Sequence, residues 1–227
     1  MKVSVIVPAY NEESIIGDTL ACAHAAVAPH ELFVVNHYST DGTAEIAARY
    51  AHVLTPSEAM TRGAALNYAA SVATGDVLLF LHADTRLPTD AATSIEAALD
   101  NPRVIGGAFQ LRLDDPGWAA RLISHSVNLR SSLLHMFFGD QAMFVRHEVF
   151  ARAGGYQDWS VMEDLEILGR LQRFGRLKIL DTEVVTSARR HRSNGWLKTI
   201  ATIWIMSLLT RLGVPGQVMI RLYKPQR

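Results

Sequence analysis

One cysteine in 227 residues excludes an internal disulfide, so this chain has to hold its core by packing alone. Cys22 stands between alanines (Ala21, Ala23, Ala25) in a helical pattern, where a small apolar side chain fits. A reducing compartment is expected. The start shows one charge, Lys2, and then a short apolar strand, too little for the hydrophobic region of a secretion signal, so a cytoplasmic location is expected. Apolar runs long enough to cross a membrane are also missing. The stretch Thr199 to Thr210 is uncharged, yet Lys198 and Arg211 bound it well short of the ~18 residues a span requires. It is apolar almost all round, which suits either the core or a lipid surface. Repeats and low-complexity tracts are absent, and no glycine-rich phosphate loop follows any strand.

Acids are lacking in one region. Residues 184–227 carry 8 Lys and Arg and no Asp or Glu, whereas residues 1–183 carry 14 against 22. A basic end on an acidic body points to an anionic partner: donor phosphates, the inner face of the cell membrane with the protein peripheral on it, or the acidic body itself. Overall charge is zero, and no nucleic-acid partner is expected. A hydrophobic share of 49% and a charged share of 19% describe one folded domain. Within 1–227 we distinguish a first half (1–100), a second half (101–185), and a basic, apolar helical tail (186–227). Association with further copies of the chain is left open.

The pattern of elements is α/β. Val3 to Val7 is an apolar strand ended by Pro8, and Asn11, Glu12 and Glu13 offer an N-cap and first-turn acids for a helix. Leu32 to Val35, a Ser39 to Gly42 turn and a helix from Thr43 to about Tyr50 repeat the unit. A helix from about Met60 to Ala73 and a strand from Val77 to Leu81 form the third. Strands apolar on both faces that alternate with helices predict a Rossmann-like, mostly parallel sheet covered on each side. Ligands then sit at the carboxyl ends of the strands, at Pro8 to Glu12, Asn36 to Asp41 and His82 to Asp84. Beyond residue 100 a mixed-sheet half is expected: a strand at Val104 to Leu113, helices at Arg121 to Met136 and Glu163 to Phe174, and short strands at Leu177 to Leu180 and Glu183 to Thr186.

A nucleoside diphosphate bound without a glycine-rich loop needs its charge met by other means, and a divalent cation held by a carboxylate is the usual one. Asp84, just after a strand, is placed for that; it would serve equally as the cap of a helix near Pro88. Asp41 is either a ligand or a turn former, and Glu163 and Asp164 are either site residues or acids favoured at a helix start.

Four segments taken in order add a resemblance: VSVIVPAYNEE (3–13), STDGTAEIA (39–47), TRGAALNYAASVATGDVLLFLHADT (61–85) and GGYQDWSVMEDLEILGRL (154–171). Over roughly residues 1–180 the chain resembles glycosyltransferase family 2, of the GT-A fold, which implies that 1–100 is a nucleotide-binding half and 101–185 an acceptor and catalytic half. Its LHADT form and the ARR at Ala188 to Arg190 are similar to a compact bacterial subgroup, the radical-SAM/selenodomain-associated transferases. The resemblance implies an inverting, Mn²⁺- or Mg²⁺-dependent enzyme that uses a nucleotide-sugar donor, with uridine diphosphate as the expected carrier. The acceptor, whether lipid, glycan, protein or small molecule, is not implied. By position it places Pro8, Tyr10 and Glu12 around the nucleoside, Arg62 near the base or diphosphate, and Asp84 on the metal. Asp164 becomes the general base, with Glu163 supporting it. Gly139, Asp140 and Gln141 line the acceptor side, and Arg189, Arg190 and Arg192 approach the diphosphate.

Two departures from that pattern stand out. The family's metal motif has two acids, whereas this chain has His82-Ala83-Asp84, leaving His82 or water to fill in. Asn36 replaces an aspartate that receives a hydrogen bond from uracil, and an Asn carbonyl can still accept one. These departures keep a non-catalytic sugar-nucleotide binder in view. A nucleotidyltransferase is disfavoured, because Tyr10-Asn11-Glu12-Glu13 is acidic where a basic, glycine-rich loop would be needed.

Overall fold

The structure is a computed structural model, and it describes residues 1–28, 30–56, 60–158, 163–189, 196–212 and 214. In chain order the elements are β1 (Val3–Ala9), α1 (Ile16–Val27), β2 (Glu31–Asn36), α2 (Thr43–Ala47), β3 (His52–Leu54), α3 (Arg62–Val72), β4 (Val77–Phe80), β5 (Thr85–Arg86) and α4 (Ala91–Leu99). They continue as β6 (Val104–Leu113), α5 (Trp118–Leu134), a single 3-10 turn (Gly139–Gln141), β7 (Met143–Arg146), α6 (His147–Arg152), α7 (Glu163–Leu171), β8 (Arg176–Thr186) and α8 (Trp196–Arg211).

The strands form one sheet in the order β3-β2-β1-β4-β7-β6-β8-β5. Its first four members are parallel; β7 runs antiparallel to both β4 and β6, and β8 is parallel to β6. This is the expected α/β class, with a parallel half and a mixed half.

Period-two alternation divides the core. On one face Val3, Val5, Val7, Val77 and Leu79 pack with Ile16 and Leu20 of α1 and Ile95 of α4. On the other, Ile6, Phe33, Leu78 and Phe80 pack with Ala65, Leu66 and Ala69 of α3 and Leu165 and Leu168 of α7. Strands buried on both faces carry no polar alternation, which is why they read as continuous apolar runs.

Several boundaries differ from the sequence expectation. Asn11 does not cap α1, which starts at Ile16; its φ is +53°, and its side chain serves a neighbouring loop. The two short strands expected after residue 176 are one strand, β8, whose pairing with β6 slips between Ala108 and Gln110. Strand β7 and helix α6 were not anticipated. At four and six residues they are too short to establish a period.

Among the described residues no helix is long and apolar enough to cross a membrane. Helix α8 lies along α5, where Trp204 Nε1 donates to Ser126 Oγ at 2.8 Å and Ser207 is buried.

Candidate active site

The carboxyl ends of β1 and β2 are joined by their own side chains. Asn11 Oδ1 accepts from Thr40 N at 2.8 Å, Glu12 N donates to Thr43 Oγ1 at 2.7 Å, and Glu13 Oε2 accepts from Gly42 N at 2.8 Å. The acids read as first-turn residues therefore hold the turn before α2. Above this junction Tyr10 is exposed and Pro8 half-buried. Asn36 is buried at the end of β2, and its Oδ1 accepts from Ser39 N at 3.2 Å.

Arg62, the first residue of α3, is the hub of a second group. Its Nε lies 3.1 Å from Glu163 Oε1, and its Nη2 meets His82 Nε2. Gly139 packs against both: a Cβ built there would stand 2.6 Å from His82 Nε2 and 3.1 Å from Arg62 Nη2, so a larger residue would have to displace those side-chain ends. The Gly139 N–H donates to Asp164 Oδ2 at 2.8 Å, and Leu165 N donates to Oδ1 at 2.9 Å. Five predicted residues from four separate segments thus meet in one place.

Their two carboxylates differ. Glu163 is buried, and burial pushes its pKa up to about 7, assisted by the adjacent Asp164 and opposed by Arg62. Asp164 is half-buried.

What joins α3 to the segment that follows α6 is a clamp that the sequence did not reveal. Asn67 makes two hydrogen bonds of 2.8 Å with the backbone of Tyr156, and Thr61 Oγ1 donates to Asp158 while capping α3. Gly63 allows the close approach, since a Cβ there would lie 2.2 Å from the Gln157 carbonyl oxygen.

Asp84 occupies the other side. It follows β4 in a tight turn in which Thr85 N donates to the His82 carbonyl at 3.1 Å, and its own carbonyl accepts from Ser187 N at 3.1 Å. That pairing brings the end of β8 to the metal-ligand candidate. Arg189 donates to Glu12 Oε2 at 2.8 Å, and this bond, with the charges of Glu12 and Asp84, stabilises its charged form. Arg190 and Arg192 lie outside the described residues.

Among the described residues no group of three His, Cys, Asp or Glu side chains is arranged to hold a metal. His82 does not take the place of the missing acid through Nε2, which faces Arg62. One half-exposed carboxylate suits a cation shared with a diphosphate, because Mg²⁺-like ions are commonly held by one or two carboxylates plus phosphate oxygens.

Of the three acceptor-side candidates, Gly139 and Asp140 border the cluster, whereas Gln141 is fully buried and acts as a brace. Its Oε1 accepts from Arg130 Nη2 at 3.2 Å and Ser131 Oγ at 2.9 Å, and its Nε2 donates to the Phe109 carbonyl at 3.0 Å. Arg130 was not singled out from the sequence. It is fully buried, its guanidinium 4.1 Å from the Phe138 ring centroid, and burial lowers its pKa to about 10 against the pull of Asp140 and Asp164. The available signal was a charge on the buried stripe Ile123, Val127, Arg130 of an otherwise periodic helix.

The chain is 26% identical over 200 residues to Probable glycosyltransferase YdaM of Bacillus subtilis (strain 168), covering 77% of this chain and 47% of that protein. It therefore spans about half the length of the curated relative it matches. Among solved structures it is similar to mannosyltransferase PcManGT from Pyrobaculum calidifontis in complex with GDP-Man and Mn²⁺, with a TM-score of 0.70, 22% identity and coverage of 99% and 66% of the two chains. It is also similar to glucosyl-3-phosphoglycerate synthase from Mycobacterium tuberculosis in complex with Mn²⁺, UDP and glucosyl-3-phosphoglycerate (TM-score 0.64, 19% identity, 94% and 81% covered). S. aureus TarS 1-349 in complex with UDP-GlcNAc gives 0.66, 18%, and 92% and 67%. The shared architecture is the GT-A fold. Residues 4–154 match the pattern described as Glycosyl transferase family 2, and on that match the chain belongs to glycosyl transferase family 2.

Proposed function

We propose that the chain is an inverting glycosyltransferase that moves a sugar from a nucleoside diphosphate to an acceptor hydroxyl, with Asp164 as the general base. The observation that carries this reading is the contrast between neighbouring acids. Glu163 is buried on Arg62 and pushed up to about 7, whereas Asp164 is half-buried, its carboxylate held by two backbone N–H groups. A hydroxyl is a poor nucleophile, so a carboxylate has to take its proton as the bond to the diphosphate breaks. The N–H of Gly139 orients Asp164 for that, and Glu163 holds Arg62 in place.

The donor's diphosphate is expected between Asp84 and the guanidinium groups of Arg62 and Arg189. A Mn²⁺ or Mg²⁺ ion held by Asp84 would supply charge neutralisation of the leaving diphosphate. Uridine is the expected base, because Asn36 Oδ1, although it accepts from Ser39, retains a second lone pair at the end of β2. The buried Gln141 is proposed as a brace for the acceptor turn in place of an acceptor contact.

Asp164→Asn keeps size and removes the base. It is expected to cost ~10²–10⁴-fold in transfer or donor hydrolysis with UDP affinity nearly unchanged by calorimetry, whereas Glu163→Gln loses less turnover. Normal turnover in Asp164→Asn removes it as the base. Donor binding by the wild-type chain with neither transfer nor hydrolysis would make it a binder.

A further inference from the structure

Helices α5 and α8 carry exposed apolar residues that no other described residue covers. On α5, Trp118 is 76% exposed and Leu133 63%, with Leu122 and Leu129 also exposed. Their spacing of four, seven and four residues puts them on one helical face, opposite the buried Ala120, Ser124 and Ser131. On α8, Ile205, Leu208 and Leu212 are exposed while Met206 and Ser207 are buried. Ser126 meets Trp204 and Arg130 reaches Ser207, so the two helices run parallel, and at ~100° per residue the exposed stripe of each turns to the same side of that contact line. The stripes therefore border one seam, and a contiguous apolar surface of this kind marks an interaction site.

Charge identifies the occupant. No Asp or Glu occurs anywhere in residues 116–139 or 184–227, in a chain with 22 acids elsewhere. Arg121 on α5 is exposed, and Lys198 and Arg211 lie within α8. In an isologous dimer this face would meet its own copy, basic against basic. A basic, acid-free apolar surface is instead complementary to an anionic lipid interface.

We propose that the α5 and α8 stripes dock on an anionic membrane surface, the leucines and Trp118 entering the headgroup boundary and Arg121 meeting lipid phosphates. This goes beyond the sugar-transfer reading and does not depend on it.

The test is co-sedimentation of the full chain with vesicles of phosphatidylglycerol and phosphatidylcholine, or of phosphatidylcholine alone, at low and high salt. Binding is expected with the anionic vesicles, weakening as salt rises. A blue shift of tryptophan emission on binding should be largely lost in Trp118→Phe. The variant Leu122→Ser, Leu129→Ser, Leu133→Ser should bind at least ~10-fold more weakly. Its UDP-induced thermal shift should be unchanged, which separates loss of docking from loss of the fold or the donor site. A wild-type protein left in the supernatant at low salt, equal binding to phosphatidylcholine alone, or an unchanged triple variant overturns the proposal. So does a dimer in sedimentation velocity that the triple variant dissociates.

Discussion

The two sides of the site are built on opposite principles. On the Asp84 side, Arg189 and Glu12 form an ion pair whose side chains are 58% and 20% exposed, tied to loops at the ends of β1 and β8. On the Asp164 side, Arg62 and Glu163 pair with exposures of 32% and 3%, behind a turn braced by a fully buried arginine. Exposed pairs are screened and worth ~0–1 kcal/mol, so a diphosphate can replace them at little cost. A buried carboxylate has lost its water and depends on its neighbours. One side is therefore exchangeable and suited to a ligand that brings its own charge; the other is preset and suited to holding a reacting group still.

That contrast can be broken most forcefully at Glu163. Its folded pKa of about 7 lies above the ordinary 4.5, so the folded state binds the proton more tightly. Its contribution to stability is fully present below pH 4.5, falls as pH rises to about 7, and is flat above. At ~1.4 kcal/mol per unit the fall amounts to a few kcal/mol. In urea titrations Glu163→Gln should gain on the wild type by that amount between pH 4.5 and 7; parallel curves would show that burial does not penalise the carboxylate.

A smaller change is expected at Asp84. Asp84→Ala should leave metal-free UDP binding intact and lose the gain that Mn²⁺ or Mg²⁺ confers, on the order of a hundredfold by calorimetry. Undiminished metal dependence would move the cation elsewhere.

The smallest effect on stability is predicted for Arg189→Ala, below ~1 kcal/mol, because the pair it breaks is exposed. A shift of melting temperature larger than that of Glu163→Gln at pH 8 would reverse the comparison.

Legibility differs between the halves of the chain for a physical reason. β1, β2, β4 and α3 could be read from 1–100, because strands buried on two faces write continuous apolar runs, and the place of Asp84 just after β4 follows from where that run ends. β7 and α6 could not, being short and held by antiparallel neighbours distant in sequence. Helix α1 was misplaced because Asn11, Glu12 and Glu13, good capping residues in isolation, are used by the turn at 40–43.

The alternation of strand and helix, the acid after β4, the acid pair opening α7 and the acid-free helices are written in local pattern and composition, and so are legible in the chain alone. Folding adds what that pattern lacks: Gly139 presents its N–H to Asp164, His82 turns to Arg62, Arg189 arrives beside Glu12 and Asp84, and Gln141 and Arg130 lie inside. These contacts join residues far apart in the chain. Their free energy comes from burial and from satisfying polar groups that the sheet order brings together, a pairing no local pattern encodes.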